Sequence, residues 1–279
     1  MTIRQAVVWG TQYLTDHQVA DALSSARLLL MEVAGLDATS LITRGDDVLT
    51  IEQQTKYENF ITLRSQHQPV AYILGHQPFG NLDLIVTPDT LIPRTETEQL
   101  VQLVLAYIDQ HVESIATVID VATGSGAIIL ALASAKPQLH YIATDISPAA
   151  LTVAKQNATR LGLNVEFKET DLLAGITSAD VVVANLPYVP SARLARLATD
   201  VRDYEPHLAL DGGPDGLDLY RKLFEQLAAW PKLPQAIFCE IDETHTASFP
   251  DLVQSVWPTA QVTISQDLAG LTRYAQIIL

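Results

Sequence analysis

The N-terminal part of the chain spaces its apolar side chains in a helical pattern. Over residues 21–33 and again over 52–66, apolar residues recur three or four positions apart, and Gly35 ends the first run. Residues 6–19 show the same spacing, and no glycine-rich loop interrupts the segment. The pattern predicts a small helical domain over residues 1–75, with an apolar side that packs on itself or on a partner.

A connector with a different pattern follows this helical segment. Val70, Tyr72 and Leu74 recur at every second position before Gly75, and Leu82, Leu84 and Val86 do so after Gly80. Alternation with a period of two residues, interrupted by glycine, is typical of a β-hairpin. We therefore predict a β-hairpin linker over residues 76–93, with the domain boundary near residues 80–93.

From residue 94 to the C-terminus, short apolar runs alternate with helical patterns. Strands are predicted over 116–121, 139–144, 165–168, 181–184 and 236–240, and helices over 96–110, 126–135, 148–161 and 217–230. Two final runs, 261–265 and 273–279, predict an antiparallel pair of strands at the edge of the sheet. Strands that alternate with helices predict an α/β fold with a doubly wound, mostly parallel sheet covered on both faces.

Composition and charge narrow the classes of function. The 279 residues are 48% hydrophobic and 18% charged, as in an ordinary globular protein. Lys and Arg number 17 against 32 for Asp and Glu, a net charge of −15, which disfavours non-specific binding to nucleic acid. The single cysteine, Cys239, excludes an intrachain disulfide and a thiolate metal site. No signal peptide and no membrane span are recognisable, and we expect a cytoplasmic monomer.

A candidate ligand loop follows the first strand of the α/β segment. In the run 118–126, Val-Ile-Asp-Val-Ala-Thr-Gly-Ser-Gly, Gly124 and Gly126 let the backbone approach a ligand closely, and Asp120 at the strand end can accept hydrogen bonds. Asp145 ends the next strand. Both loops belong to the carboxyl edge of a doubly wound sheet, where ligands bind, and a carboxylate there suits the two hydroxyls of a ribose.

Two other interpretations of this loop stay open on these residues alone. The glycines also fit a tight strand–helix turn with no ligand. A dinucleotide site would require G-x-G-x-x-G, but the third glycine position is Ile129 here. A nucleoside without phosphates is therefore favoured over a pyrophosphate.

A second candidate motif, Asn185-Leu186-Pro187-Tyr188, follows the strand 181–184. The Asn185 carboxamide oxygen and the next backbone carbonyl can both accept hydrogen bonds from a planar NH2 group, and Tyr188 can form an apolar wall beside it. Such a site holds an amide or amino nitrogen toward an electrophile. The alternative is a structural turn in which Asn185 is a cap and Tyr188 is part of the core.

With these motifs in view, the chain resembles the class I S-adenosylmethionine-dependent methyltransferases, and specifically the release-factor glutamine N5-methyltransferase family. The resemblance covers nearly the whole chain. It is carried by Asp120–Gly126, Asn185–Tyr188, Pro69–Gly75, Phe79, Leu91–Glu98, Tyr204–Leu210, Asp215–Leu217, Tyr220, Arg221, Asp267–Gly270 and Arg273.

The resemblance implies methyl transfer from S-adenosylmethionine to the N5 amide nitrogen of a glutamine, the GGQ-motif glutamine of peptide chain release factors, without a metal. It implies catalytic roles for Asn185, Leu186, Pro187 and Tyr188. It implies cofactor contacts at Asp120, Ala122, Thr123, Gly124, Ser125, Gly126, Asp145, Asp171, Leu172 and Asn185. The helical segment 1–75 is then expected to recognise the release factor.

Four positions depart from the family pattern. Ala122 and Leu186 replace the first loop glycine and the first motif proline, and Asp242 replaces the glycine of the E-I-G-x-x-Q pattern, in which the glutamine is His245 here. These departures leave open a weakly active or non-catalytic paralogue. A second alternative is a nucleic-acid adenine N6-methyltransferase, because the same motif can hold a flipped adenine amino group. The net charge of −15 argues against direct nucleic-acid binding.

Overall fold

The computed structural model describes all residues from 1 to 279, which form two compact units. The first contains Met1–His76 and Ala198–Tyr204, and the second contains Gln77–Leu197 and Glu205–Leu279. The helices are α1 Ile3–Asp16, α2 Ala22–Ala34, α3 Ala38–Thr43, α4 Ile51–Ser65, α5 Val70–Leu74, α6 Thr95–Gln110, α7 Ala127–Ala135, α8 Pro148–Leu161, α9 Thr199–Tyr204, α10 Asp218–Ala228 and α11 Ser248–Val256. None of them combines the length and apolar character that crossing a bilayer requires.

The strands form two sheets. Their bounds are β1 His76–Phe79, β2 Leu82–Ile85, β3 Thr117–Val121, β4 His140–Asp145, β5 Glu166–Glu169, β6 Val181–Ala184, β7 Ala236–Glu240, β8 Gln261–Gln266 and β9 Thr272–Ile278. Short 3₁₀ segments cover Ser191–Arg196, His207–Ala209 and Glu243–His245.

The first unit is built on capped helices that share one core. Thr2 caps α1 and Thr50 caps α4, and in each case the third helical residue, Gln5 or Gln53, completes a capping box. The fully buried Tyr57 of α4 donates its hydroxyl to the Ala6 and Ala26 carbonyls of α1 and α2, at 3.2 Å each. Because one hydroxyl lies between the two carbonyls, it helps fix how the three helices pack.

A distant segment of the chain completes this first unit. Helix α9 belongs to it although about 125 residues separate it from α5. The buried guanidinium of Arg64 lies 3.5 Å from the Asp200 carboxylate and 2.6 Å from that of Asp21. The Tyr204 hydroxyl donates to the Gln66 carbonyl at 2.6 Å. The sequence analysis gave no indication of this return.

The connector differs in part from the pattern read in the sequence. Residues Val70–Leu74 form a short helix, not a strand, and the buried positions are the neighbours Ala71 and Tyr72. Gly75 ends the helix with a φ of 80°, and its N–H donates to the Ala71 carbonyl at 2.8 Å. Five alternating residues are too few to distinguish a strand from one helical turn. The β1–β2 pair then forms the two-stranded sheet.

The second unit contains a seven-stranded sheet of order β5-β4-β3-β6-β7-β9-β8. All neighbours from β5 to β7 are parallel, while β9 pairs antiparallel with both β7 and β8. The predicted fold class is therefore confirmed, with β8 at the edge and the last strand inserted beside β7. The strand order reverses between β3 and β6, and such a switch point opens a crevice at the carboxyl ends of the strands.

Candidate active site

A cavity of about 200 Å³ lies at the carboxyl ends of the central strands of the second unit. Ten of the residues proposed from sequence line it, from the loops that follow β3, β4, β5 and β6. They are Ala122, Thr123, Gly124, Ser125, Asp145, Asp171, Leu172, Asn185, Leu186 and Pro187. Three others, Asp120, Gly126 and Tyr188, do not line the cavity. Parallel strands bring these residues together because their carboxyl ends meet at one edge of the sheet.

The loop after β3 bends through the left-handed region of backbone conformation. Ala122, Gly124 and Gly126 have φ angles of 58°, 57° and 85°. A Cβ on Gly126 would lie 3.0 Å from the Leu130 side chain, so this glycine packs closely on the next helix. Ala122 is the strained member, since a side chain at positive φ costs about 1–2 kcal/mol. This strain explains why the family pattern has glycine at the position of Ala122.

Asp120 lies behind the loop rather than in the cavity. It is 1% exposed, and its Oδ2 accepts a hydrogen bond from the Thr123 hydroxyl at 2.6 Å. Its Oδ1 has no partner in the protein. Burial raises the pKa of Asp120 to about 7, reinforced by the nearby Asp145 carboxylate and opposed by the Thr123 hydrogen bond. The hydrogen bond between Asp120 and Thr123 therefore supports the loop from the buried side.

Asp145 presents a carboxylate to the cavity at the end of β4. Its Oδ2 accepts from the Gly124 N–H and its Oδ1 from the Ser147 N–H, each at 2.9 Å. Burial raises the pKa of Asp145, and these backbone hydrogen bonds oppose that shift. Each carboxylate oxygen keeps a second lone pair, so the group can still accept two ligand hydroxyls.

Apolar side chains border the same cavity. Ile146 and Leu208 both line it and are 52% and 62% exposed. Leu172, with a φ of 56°, also lines it, while Asp171 forms an ion pair with Lys222 at the surface. Large exposed apolar side chains around a cavity are typical of a site for a flat apolar group such as a nucleobase.

The Asn185–Tyr188 turn extends from the end of β6. The Asn185 Nδ2 donates to the Thr97 hydroxyl at 3.3 Å, and Leu186 is buried, with 1% exposure. The half-buried Tyr188 donates its hydroxyl to Glu240 Oε1 at 3.1 Å. Leu186 in place of the family proline therefore contacts the core, and Tyr188 is fixed by a carboxylate instead of facing the cavity.

A glycine-containing segment supports this turn from the other side. The Val189 N–H donates to the Leu210 carbonyl at 3.0 Å, and the Gly212 N–H donates to the Val189 carbonyl at 2.9 Å. Gly212 and Gly216 approach the turn so closely that a Cβ on either would contact its backbone below 3.0 Å. Gly216 belongs to the Asp215–Leu217 stretch that resembles the family, and this stretch thus has a structural explanation, because only glycine fits there.

Sequence reasoning missed Thr97 and Glu240. Glu240 is 1% exposed, and its Oε2 accepts from the Thr97 hydroxyl at 2.7 Å. Burial raises the pKa of Glu240, while the hydrogen bonds from Thr97 and Tyr188 and the nearby Arg273 oppose that shift. Both residues fall inside stretches that resemble the family, which was the only signal available for them.

Arg94 and Glu205 were also missed as a pair. Arg94 is the single cationic side chain that lines the cavity, and it forms an ion pair with the buried Glu205. Glu205 also accepts from the Ile92 N–H at 3.2 Å. The ion pair joins the connector to the segment that carries Leu208, and it leaves Arg94 largely neutralised.

The departure at Asp242 is compensated locally. Its two carboxylate oxygens accept from Arg193 Nη1 at 2.8 and 2.9 Å, and its Oδ1 accepts from the Thr244 N–H at 3.0 Å. His245 lies 2.9 Å from the Asp215 carbonyl through its Nε2, so it contacts the segment that supports the turn. Both Asp242 oxygens and the Nε2 of His245 thus have partners, whereas the buried Nδ1 of His245 has none.

The sheet order and the cavity define a class I methyltransferase fold. A methyltransferase domain model matches residues 113–226, and the PrmC N-terminal domain model matches residues 5–75. Among solved structures, the hMettl16 catalytic domain in complex with the MAT2A 3′UTR hairpin 1 is similar with a TM-score of 0.57 and 16% identity, covering 78% of this chain and 79% of that chain. This last likeness is one of fold.

Curated relatives narrow the class to one family. The release factor glutamine methyltransferase of Moorella thermoacetica is 40% identical over 98% of this chain and 97% of its own length. That of Koribacter versatilis is 39% identical over 81% of each chain. The chain belongs to the release factor glutamine methyltransferase family.

Proposed function

We propose that this protein transfers a methyl group from S-adenosylmethionine to the side-chain amide nitrogen of a glutamine in a peptide chain release factor. The observation that carries the proposal is the Asn185–Tyr188 turn, whose Asn185 lines a cavity at the switch point of a methyltransferase fold. Membership of the family supports the same substrate.

The residues around the cavity fit S-adenosylmethionine. The Asp145 carboxylate suits two ribose hydroxyls, and Ile146, Leu172 and Leu208 offer apolar surface for an adenine. The only cationic side chain in the lining, Arg94, is already paired with Glu205, so the cavity does not favour a pyrophosphate. When bound, the cofactor supplies a methyl group on a sulfonium, which is an activated electrophile.

The turn fits the acceptor side of the reaction. An amide nitrogen is a poor nucleophile because its lone pair is delocalised, so orientation and exclusion of water must provide much of the acceleration. The Asn185 Oδ1 and the Leu186 carbonyl accept the two N–H groups of the glutamine and direct its nitrogen toward the methyl group. The proton becomes acidic only as the new N–C bond forms, so no strong base is needed beforehand.

We further propose that residues 1–75 recognise the release factor and take no part in the chemistry. This segment has its own helical core and lacks cofactor and acceptor motifs. A glutamine on a loop offers little surface to bind, so a second surface that contacts the folded partner adds affinity through tethering. The acidic chain favours basic patches on that partner, and the complex should weaken with salt.

The test is methyl transfer to a purified release factor, to a glutamine peptide and to a DNA oligonucleotide. We expect transfer to the release factor and none to DNA. Asn185→Ala should abolish transfer while weakening cofactor binding less than Asp145→Ala does. Asp145→Ala should weaken cofactor binding in calorimetry more than tenfold, since hydrogen bonds to a charged group contribute about 1.5–3 kcal/mol each.

Two results would contradict these assignments. Methylation of DNA but not of the release factor would assign the protein to the adenine N6 class. Undiminished turnover of Asn185→Ala would remove Asn185 from the acceptor role. Asp145→Asn, which keeps one acceptor oxygen, is the matched variant and should bind the cofactor with intermediate affinity.

A further inference from the structure

A buried carboxylate, Glu240, is linked to both ends of the Asn185–Tyr188 turn, directly to Tyr188 and through Thr97 to Asn185. Glu240 ends β7, and its Oε1 accepts from the Tyr188 hydroxyl at 3.1 Å. Its Oε2 accepts from the Thr97 hydroxyl at 2.7 Å, and the Thr97 oxygen accepts from the Asn185 Nδ2 at 3.3 Å. A chain of hydrogen bonds therefore runs from Asn185 through Thr97 to Glu240.

The chemistry of the groups sets the direction of this chain. The Thr97 hydroxyl donates its one proton to Glu240 Oε2, and the Tyr188 hydroxyl donates to Oε1, so Glu240 is the acceptor in both contacts. The lone pairs of Thr97 then face Asn185, and only the amide nitrogen of Asn185 can donate to them. A flipped carboxamide would set its oxygen against those lone pairs, which is costly where water is excluded. The chain therefore selects one orientation of the Asn185 carboxamide.

We propose that Thr97 and Glu240 are positioning residues that hold the Asn185 carboxamide with Oδ1 directed away from Thr97, free to accept the N–H of the substrate amide. The Asn185 Oδ1 accepts no hydrogen bond from the protein, and Asn185 lines the cavity. The same carboxylate holds Tyr188 at the other end of the turn. This inference rests on the proposed function, in which Asn185 binds the glutamine amide.

The decisive variant is Thr97→Val, which removes the hydroxyl at nearly constant shape. A misplaced reacting group costs up to about 10²-fold in rate, so we expect kcat to fall about 10- to 100-fold. The KM for the release factor and the Kd of the cofactor should change less than about threefold, because the group acts through Asn185 in the transition state. Thr97→Ser restores the hydroxyl and should recover kcat to within about threefold of the wild type.

A readout independent of turnover reports the carboxamide directly. The side-chain NH2 signal of Asn185 in a ¹⁵N spectrum is identified by its loss in Asn185→Ala. In Thr97→Val its chemical shift should change and its hydrogen exchange should accelerate, and Glu240→Gln should act in the same direction. The matched control is Thr159→Val, which removes an exposed helix hydroxyl that donates only to the Lys155 carbonyl. It should change neither kcat nor the Asn185 signal.

The outcomes separate this inference from the proposed function. If the wild type transfers no methyl group to the release factor, the proposed function fails, and the Asn185 signal alone decides the positioning role. An unchanged Asn185 signal in Thr97→Val overturns that role whatever the activity. The positioning role is also overturned if Thr97→Ser lowers kcat as much as Thr97→Val does, because the hydroxyl is then not the responsible group.

Discussion

Gly212 offers a direct test of how the Asn185–Tyr188 turn is supported. A Cβ on Gly212 would lie 2.7 Å from the Pro187 carbonyl oxygen, 2.8 Å from the Gly216 carbonyl oxygen and 2.8 Å from the Tyr188 Cα. The backbone of Gly212 lies outside the left-handed region, so alanine meets no conformational strain there. The cost of Gly212→Ala is therefore steric alone.

The magnitude follows from these distances. Ordinary contacts begin near 3.4 Å, so the new methyl group must displace backbone by about 0.6–0.7 Å. Overpacking costs about 1–3 kcal/mol, and we expect the upper half of that range because the obstructing atoms belong to the backbone and cannot rotate away. A shift of this size in the Asn185–Tyr188 turn should also lower kcat at least tenfold, since a displacement of about 1 Å can cost 10²-fold.

The assay pairs urea unfolding with methyl transfer under conditions where both proteins are folded. Gly45→Ala is the control for stability, because its Cβ would meet the exposed side chain of Arg4 at 3.3 Å and the Ile42 carbonyl oxygen at an ordinary contact distance of 3.5 Å. Its free energy of unfolding should lie within about 0.5 kcal/mol of the wild type. The reasoning is refuted if Gly212→Ala is as stable as this control and keeps the wild-type kcat.

Two further predictions address the buried acid and the helical domain. Because burial raises the pKa of Asp120 to about 7, the folded state keeps a proton that the unfolded state loses near pH 4. This group should therefore lower the free energy of unfolding as the pH rises from 4 to 7, by about 4 kcal/mol at most. Urea titrations of Asp120→Asn should lack that decline. Identical pH profiles for the variant and the wild type would contradict the assignment. Deletion of residues 1–75 should leave cofactor binding intact and lower methylation of the intact release factor far more than that of a glutamine peptide, whereas equal losses would make the segment a folding support.

The periodicity of the sequence determined most of the elements. The predicted bounds of α8, β6 and β7 agree with the structure. In long or fully apolar runs, the spacing of apolar residues matches either the helical or the strand period, but not both. The fold class followed from the alternation of helices and strands. The cavity lining followed in large part as well, since the motif residues sit at the carboxyl ends of parallel strands, where one sheet edge gathers them.

Short segments without a clear period were not determined in this way. Five residues at 70–74 fit a strand and a helical turn equally well, and packing selected the helix. The sequence analysis contained neither α9 nor α11. For α9, contacts with Arg64 and Gln66, more than 130 residues earlier in the chain, show how tertiary packing places it.

Only the tertiary structure decided how the candidate site is held. Glu240 and Thr97 are 143 residues apart, and Asn185 and Thr97 are 88 apart, so no local pattern relates them. Their hydrogen bonds exist because β6, β7 and the start of α6 converge there and bury Thr97 and Glu240, and buried polar groups must find partners within the protein. Sequence motifs specify which groups are present and at which strand end they lie. The packing of distant elements decides which way those groups point.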